Sequence, residues 1–365
     1  MRLTLVTSSL TAGGAERVLS IMANYWASRG HCIHFLTLDA EEGDFYTLDP
    51  KIQRHALGLL HGSNAPWGIL RKHTLRLFWI RKIIKETKPD AVICFMDRMN
   101  VATLLAAWGL QVSIIISERT DPRLHNIGPF WSVLRRLTYP YAQALVIQTE
   151  SVKKWATKFY SQKRLFVIPN PLTKIETSQE SNLNLPSQFI VAMGRMDKYK
   201  GFDLLLNAFS KINISGWELV LIGEGKEQSN IKRLSEQLGI SGIVHMPGKI
   251  KNPDSILRHA EIYVLSSLYE GFPNALLEAM RAGVAVISFD CPSGPAEIIH
   301  HGVDGLLVPA QDSEALMQTM TKLMRDKTLR QSLAHQAVNV KERFSVDKVM
   351  NQWQKVIETV VSDKH

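Results

Sequence analysis

What most constrains this chain is an alternation: short apolar runs rich in β-branched residues are separated repeatedly by segments with a helical hydrophobic period. Residues 3–9 (LTLVTSS), 91–96 (AVICFM), 112–117 (VSIIIS), 144–148 (ALVIQ) and 165–169 (LFVIP) form a first series. Runs that are apolar from end to end belong to strands covered on both faces, and strands joined by crossover helices run parallel. The N-terminal half is therefore expected to be a doubly wound α/β domain. A polar stretch at 173–187 (TKIETSQESNLNLPS) offers little to build a core and reads as a linker. A second series follows at 189–194 (FIVAMG), 218–223 (ELVLIG), 243–247 (IVHMP), 262–266 (IYVLS), 285–289 (AVISF) and 305–308 (GLLV). The expectation is two Rossmann-like domains in series, about 1–170 and 171–345, with a final helix near 346–363 available to pack back onto the first. Ligands of such sheets bind beyond the carboxyl ends of the strands, so a cleft that two of them face is where chemistry belongs.

With 365 residues, 45% of them hydrophobic, the chain can bury two cores of ordinary size. No window holds the ~18 uninterrupted apolar residues that a membrane span requires, and the N-terminal run is broken by Thr and Ser. Cys32, Cys94 and Cys291 lie far apart without a CxxC pair, which fits a reduced compartment and speaks against a thiolate metal site. A cytoplasmic protein is expected. The net charge of +9 points to an anionic partner. Much of it sits in residues 67–89, where Arg71, Lys72, Arg76, Arg81, Lys82, Lys85 and Lys88 face only Glu86 and alternate with Trp67, Leu70, Leu77, Phe78, Trp79 and Ile80. That segment reads in two ways: a crossover helix with its basic face in solvent, or a surface for an anionic membrane or an acceptor's phosphates. Residues 131–139 (WSVLRRLTY) carry the same ambiguity. A nucleic-acid partner is not expected, because no recognisable module for it is present and the glycines sit at strand-to-helix loops.

Three such loops hold residues suited to binding an anion. The first (LTAGGAER, 10–17) pairs Gly13 with Gly14, permitting close backbone approach ahead of a helix whose first N–H groups lack partners; the GxGxxG pattern of dinucleotide sites is missing. In the second (MGRMDKYKGF, 193–202) Arg195 and Lys200 can hold a diphosphate by fork and point charge together. Elsewhere such cations are mostly solvated; here they end the first strand of the second domain. The third (YEGFPNALLEAM, 269–280) carries the strongest signal. Gly271 allows close approach, Pro273 begins a helix, Glu270 lies in the loop and Glu278 about a turn and a half inside the helix. One carboxylate then serves sugar hydroxyls and the other a ribose. The bland alternative is a capping Glu and a surface helical Glu. Asp39, Asp97 and Asp290 are isolated, without the acidic pair that would hold a divalent ion, so no metal is expected.

With GFPNALLEAM and its E-x7-E spacing, GRMDKYKGFDLLLNAF, the IGEG at 222–225, AGVAVIS at 282–288 and DGLLVP at 304–309, the chain resembles the retaining GT-B glycosyltransferases of family 4. GGAER and the IISERTDP at 115–122 resemble its bacterial branch that builds O-antigen, exopolysaccharide and lipid-linked oligosaccharides. The resemblance implies a nucleotide diphosphate sugar as donor, UDP favoured, and a hexose or N-acetylhexosamine moved with retention. The acceptor would be a polyprenyl-diphosphate-linked or other saccharide, at the cytoplasmic face of the inner membrane, without metal or other cofactor. It implies a donor diphosphate held by Arg195, Lys200 and the N–H groups that follow Glu270, those of Gly271, Phe272 and Asn274 around Pro273, with Gly13, Gly14 and Gly223 in close approach, Glu270 by the transferred sugar and Glu278 on the ribose. On the acceptor side stand Arg17, Arg71, Lys72, Arg76 and the pair Glu118-Arg119, which occupies the place where many relatives carry a histidine; His125 nearby reads as a surface loop residue. A sugar-nucleotide epimerase or hydrolase of the same fold, or a non-enzymatic anion binder, is the alternative.

Overall fold

A computed structural model describes residues 1–60, 66–173, 185–250 and 252–363, with the side chains of 66–70 excepted. Most of the 173–187 linker lies outside the described residues, as do the side chains of Trp67 and Leu70. The chain divides into two compact units, Met1–Pro171 with Val346–His365, and Leu172–Ser345.

The first unit is built on seven strands: β1 (Arg2–Thr7), β2 (Cys32–Thr37), β3 (Gln53–Ala56), β4 (Ala91–Phe95), β5 (Ser113–Ser117), β6 (Ala144–Ile147) and β7 (Leu165–Val167). They are all parallel, in the order β3-β2-β1-β4-β5-β6-β7. Two of them, β2 and β3, are absent from the sequence expectation. β2 (CIHFLT) is interrupted by His34, and β3 (QRHA) is an edge strand with no apolar run at all. Its Arg54 instead ties Asp44 through two hydrogen bonds of 2.9 Å. On one face of the sheet the helix Gly14–Ser28 and the C-terminal helix Val346–Ser362 close a core around Leu3, Phe35, Phe95 and Trp353. On the other face the helices Pro66–Thr87, Asp97–Ala106 and Pro129–Thr138 cover Val92, Cys94 and Ile116.

The second unit repeats the plan with β8 (Phe189–Met193), β9 (Glu218–Ile222), β10 (Val244–Gly248), β11 (Ile262–Leu265), β12 (Ala285–Asp290) and β13 (Leu306–Pro309). The order is β10-β9-β8-β11-β12-β13, again all parallel. In each sheet the winding direction reverses beside the first strand, between β1 and β4 and between β8 and β11. Loops leaving the carboxyl ends of those neighbours run off to opposite sides, which opens a crevice there.

Candidate active site

At the reversal point of the second sheet, the loop after β8 (residues 194–201) and the loop after β11 (residues 266–273) lie against each other. Leu268 N–H donates to Tyr199 O at 2.7 Å, and Ser266 Oγ donates to Lys200 O at 2.9 Å. The Tyr199 and Tyr269 rings stack at 5.2 Å. This approach requires Gly201, which sits at φ +60° and whose added Cβ would stand 2.1 Å from Ser266 O. The loop after β9 joins in the same way: a Cβ on Gly223 (φ +137°) would lie 2.0 Å from Gly194 O. In the free protein Gly223 therefore brings two backbones together.

The result is a buried ion pair. Lys200 Nζ and Ser267 Oγ both reach Glu270 Oε1, each at 2.6 Å. Burial alone would depress the Lys200 ammonium, but Glu270, with Tyr199 behind it, outweighs burial and raises it above its ordinary value. Beneath the pair, burial and then the Glu270 charge push the Cys291 thiol up to about 12, so it is protonated and inert. Gly271, Phe272 and Pro273 lead directly into the helix Asn274–Arg281, and Pro273, as its N-cap, offers no side-chain acceptor to the first-turn N–H groups. Behind this turn Ser293 Oγ donates to Gly271 O at 3.4 Å, and Gly294 at φ +101° gives Pro273 room. Glu278 is buried within that helix. Arg195 is more exposed and engaged in its own loop, with Nε 2.5 Å from Asp197 Oδ2 and Nη2 2.7 Å from Tyr199 Oη.

The remaining residues singled out in the sequence belong to the first unit. Gly13 and Gly14 open the helix Gly14–Ser28 after β1, where the Glu16 carboxylate folds back so far that a Cβ on Gly13 would meet it at 2.1 Å. Gly13 thus makes room for an acid at the helix N-terminus, with Arg17 one residue on. Glu118 and Arg119 end β5 in full burial, and neither is a surface group. Glu118 Oε1 accepts from Tyr139 Oη at 2.5 Å and lies 3.6 Å from Arg135 Nη1. Burial, reinforced by the Asp97 charge, pushes this carboxyl up to about 7 against the pull of Arg135. Arg119 lies 4.2 Å over the Phe95 ring and donates to Ser117 Oγ at 3.3 Å and to Asn170 Oδ1, with burial pushing it down to about 9. His125 is 3.4 Å from Asp97 Oδ2. Lys72 Nζ and the Arg76 guanidinium are engaged with the carbonyls of Leu59 and Leu60 at 2.7–3.1 Å. Those two cations hold the loop after β3, while Arg71 points outward.

Sequence reasoning passed over Ser267, Tyr199 and Tyr269. Their signal was position alone, next to Lys200 and Glu270 in loops already suspected. It took Asp97 only as an isolated acid and gave Tyr139 no role; Asp97 comes to Glu118 once β4 and β5 are neighbours, and Tyr139 comes from the turn after the helix Pro129–Thr138. Among the described residues no group of three or more His, Cys, Asp or Glu side chains is placed to hold a metal ion.

Two parallel, doubly wound units in one chain, the second with a largely buried cation–carboxylate pair beside a helix N-terminus at its reversal point, have the architecture of the GT-B fold class. Solved structures agree on the fold. Sucrose-phosphate synthase from Thermosynechococcus elongatus superposes with a TM-score of 0.85 at 16% identity over 99% of both chains. Anabaena HepE in complex with UDP gives 0.79 at 17%, over 98% of this chain and all of the other. The family model for glycosyltransferase family 4 matches residues 12–173 and that for glycosyl transferases group 1 matches residues 173–340. The chain belongs to glycosyltransferase family 4. It is 27% identical, over 99% of both chains, to a Campylobacter jejuni alpha-1,4-N-acetyl-D-galactosaminyltransferase named for a diNAcBac-PP-undecaprenol-linked acceptor. It is 24% identical to an amylovoran biosynthesis glycosyltransferase of Erwinia amylovora, over 97% of this chain and 99% of that one.

Proposed function

We propose that this glycosyltransferase moves a hexose or N-acetylhexosamine from a nucleoside diphosphate donor, UDP favoured, to a polyprenyl-diphosphate-linked or other saccharide acceptor in bacterial surface polysaccharide assembly. The observation that carries the donor half is the Lys200–Glu270 pair beside the N-terminus of Asn274–Arg281. A diphosphate entering there exchanges an internal partner of Lys200 for its own oxygens and meets the first-turn N–H groups. Glu270, released from Lys200, turns to hydroxyls of the transferred sugar, and Glu278 serves the ribose. Arg195 adds a second cation once it exchanges Asp197 for phosphate. The acceptor half rests on relatives whose names specify undecaprenyl-diphosphate-linked saccharides.

Chemically, the anomeric carbon–phosphate oxygen bond breaks and a bond to the acceptor oxygen forms on the same face. The acceptor proton passes to the departing phosphate oxygen, and configuration is retained. Cations and N–H dipoles supply the stabilisation that a divalent ion supplies elsewhere, so turnover should survive chelation by EDTA. The net charge and the basic helix Pro66–Thr87 support a further part of this reading, peripheral contact with an anionic membrane on its cytoplasmic side.

A thermal-shift screen of nucleoside diphosphates and nucleotide sugars on the wild type and Glu270→Ala tests the donor reading, since a ligand binding only the folded state raises the melting temperature with its affinity. Absence of any shift with every nucleoside diphosphate sinks it. Assaying sugar release with and without acceptor separates a transferase from a hydrolase or epimerase, and the anomeric coupling of the product decides retention.

A further inference from the structure

Eight of the eleven large hydrophobic side chains that stand exposed among the described residues fall between Phe78 and Tyr141, in the first unit. Seven of them belong to one layer, the helices Pro66–Thr87, Asp97–Ala106 and Pro129–Thr138 with the turns that follow them, and Leu124 lies in the loop ahead of the last of these helices. The inner faces of these helices are buried, through Ile80, Ile83, Ile84, Val101 and Leu104. Side contacts make the layer continuous: the His73 and Trp131 rings are 5.7 Å apart, Trp108 and Tyr141 4.8 Å, and Arg81 Nη1 donates to the carbonyls of Ala106 and Trp108 at 2.7 Å each.

Its outer face is what calls for a partner. On Pro129–Thr138, Phe130, Val133 and Leu137 are 66, 56 and 61% exposed, at i, i+3 and i+7, so they form one stripe that faces outward. The opposite side of that short helix is occupied by buried Arg135 and Thr138. On Pro66–Thr87 the outward stripe reads Arg71, Thr74, Phe78, Lys82, Lys85, and Lys82 Nζ lies 4.6 Å over the Trp79 ring. Lys72, Arg76 and Arg81 are turned inward onto backbone carbonyls, so the cations of this helix divide into an inward structural set and an outward set. Glu86 is the single acid of the two helices, and it lies 3.9 Å from Lys82.

We infer that the outer face of this helix layer docks on an anionic lipid surface, with Phe130, Val133 and Leu137 entering the headgroup boundary and Lys82, Lys85 and Arg136 against the lipid phosphates. This rests on the peripheral-contact reading above and gives it a surface. Apolar side chains framed by cations, with tryptophan and tyrosine at the margin, suit a medium that is apolar below and negatively charged above. A second copy of the chain would set these cations against one another, because the face carries almost no acid to pair with them. A nucleic acid would leave the Phe130–Val133–Leu137 stripe against water or phosphate.

The test is co-sedimentation of the full-length chain with phosphatidylcholine vesicles, with and without phosphatidylglycerol, for the wild type, F130S/V133S/L137S and K82E/K85E/R136E. Expected is binding to the phosphatidylglycerol vesicles that weakens as salt is raised, a drop of about tenfold or more in the serine variant from three lost apolar anchors, and loss of the salt-dependent part in the charge-reversed one. Each variant is checked by circular dichroism and by its thermal shift with UDP, so a misfolded protein is recognised. Wild type that does not sediment, sediments equally with neutral vesicles, or is indifferent to the serine changes overturns the inference. A wild-type dimer in solution that the serine changes dissolve overturns it in favour of a second copy. An intact UDP shift alongside failed sedimentation sinks the membrane surface alone and leaves the donor site standing.

Discussion

Lys200 enters any reaction with its charge already matched, and that decides what substitutions around it do. Its ammonium has Glu270 at 2.6 Å, and its aliphatic stem runs along Gly194, where a Cβ would touch it at 3.4 Å. A diphosphate must compete with Glu270 for the same cation. Glu270→Gln removes the competing charge and keeps the shape, so UDP should bind as tightly as before or tighter, while turnover falls by about 10²–10³-fold with the loss of a group aimed at the transferred sugar. Lys200→Ala should lose both UDP affinity and turnover, and calorimetric titration beside steady-state rates separates the two patterns. Equal loss of UDP binding in both variants would contradict the competition. Glu118 yields a second prediction. Its carboxyl goes from an ordinary 4.5 to about 7 on folding, so the folded state holds the proton more tightly. The stability this contributes is complete below pH 4.5 and is lost as pH rises through 7, amounting to roughly 3 kcal/mol over that window. The melting temperature of the wild type minus that of Glu118→Gln should therefore fall from pH 5 to pH 8, and a flat difference would mean Glu118 ionises as usual. Both residues were visible in the sequence as chemistry-bearing positions. Their states were not, because Lys200 is matched by a loop 70 residues away and Glu118 is enclosed by Asp97 and Tyr139.

At the scale of elements, legibility followed unbroken apolar runs more than burial itself, since β2 is buried from Ile33 to Thr37 and still escaped. All six strands of the second unit were readable, since each is an apolar run flanked by turn residues. In the first unit β2 and β3 escaped: strand identity there comes from pairing of β2 with β1 and of β3 with β2, and from side-chain bonds such as Arg54–Asp44, which leave no period-two or continuous apolar signature. The helix Asn274–Arg281 was readable from Pro273 and its apolar spacing, but what anchors its far end was not. Arg281, 2% exposed, forms a buried pair with Asp254 and donates to Thr173 O at 2.6 Å, joining that helix to Asp254–Leu257 and to the start of the unit. Removing one side of a buried pair leaves the other charge in a medium that cannot solvate it. Arg281→Ala should cost about 3–5 kcal/mol, read as a lowered denaturant midpoint, whereas the double change with Asp254→Ala should cost less than the sum of the single ones. Additive losses would show that the two charges stabilise independently.

For the whole molecule the decisive element is the last one. The chain leaves the first unit at Pro171, builds the second, and returns at Val346 to finish the first. The helix Val346–Ser362 lays Val349, Met350, Trp353, Val356 and Ile357 into the same core as Leu3, Phe35 and Ile93, and its Trp353 ring stands 5.9 Å from that of Phe95. At the helix ends, Arg29 reaches Asp347 at 3.0 Å and Ser113 Oγ donates to Val360 O at 3.3 Å. The second unit, by contrast, closes its two cores from residues 172–345 alone. The two units should therefore respond unequally to damage at the C-terminus. Trp353→Ala deletes a fully buried indole and should cost roughly 3–5 kcal/mol in the first unit only. In a melting experiment one transition moves down while the other, identified by its shift with UDP, stays in place. A chain ending at Ser345 leaves only the helix Gly14–Ser28 on that face of the first sheet and opens the rest of its core, and trypsin should then degrade residues 1–171 while a fragment spanning 172–345 persists. If both transitions move together in Trp353→Ala, or if the truncated chain resists protease throughout, the units are not separately stabilised and the returning helix is not what completes the first.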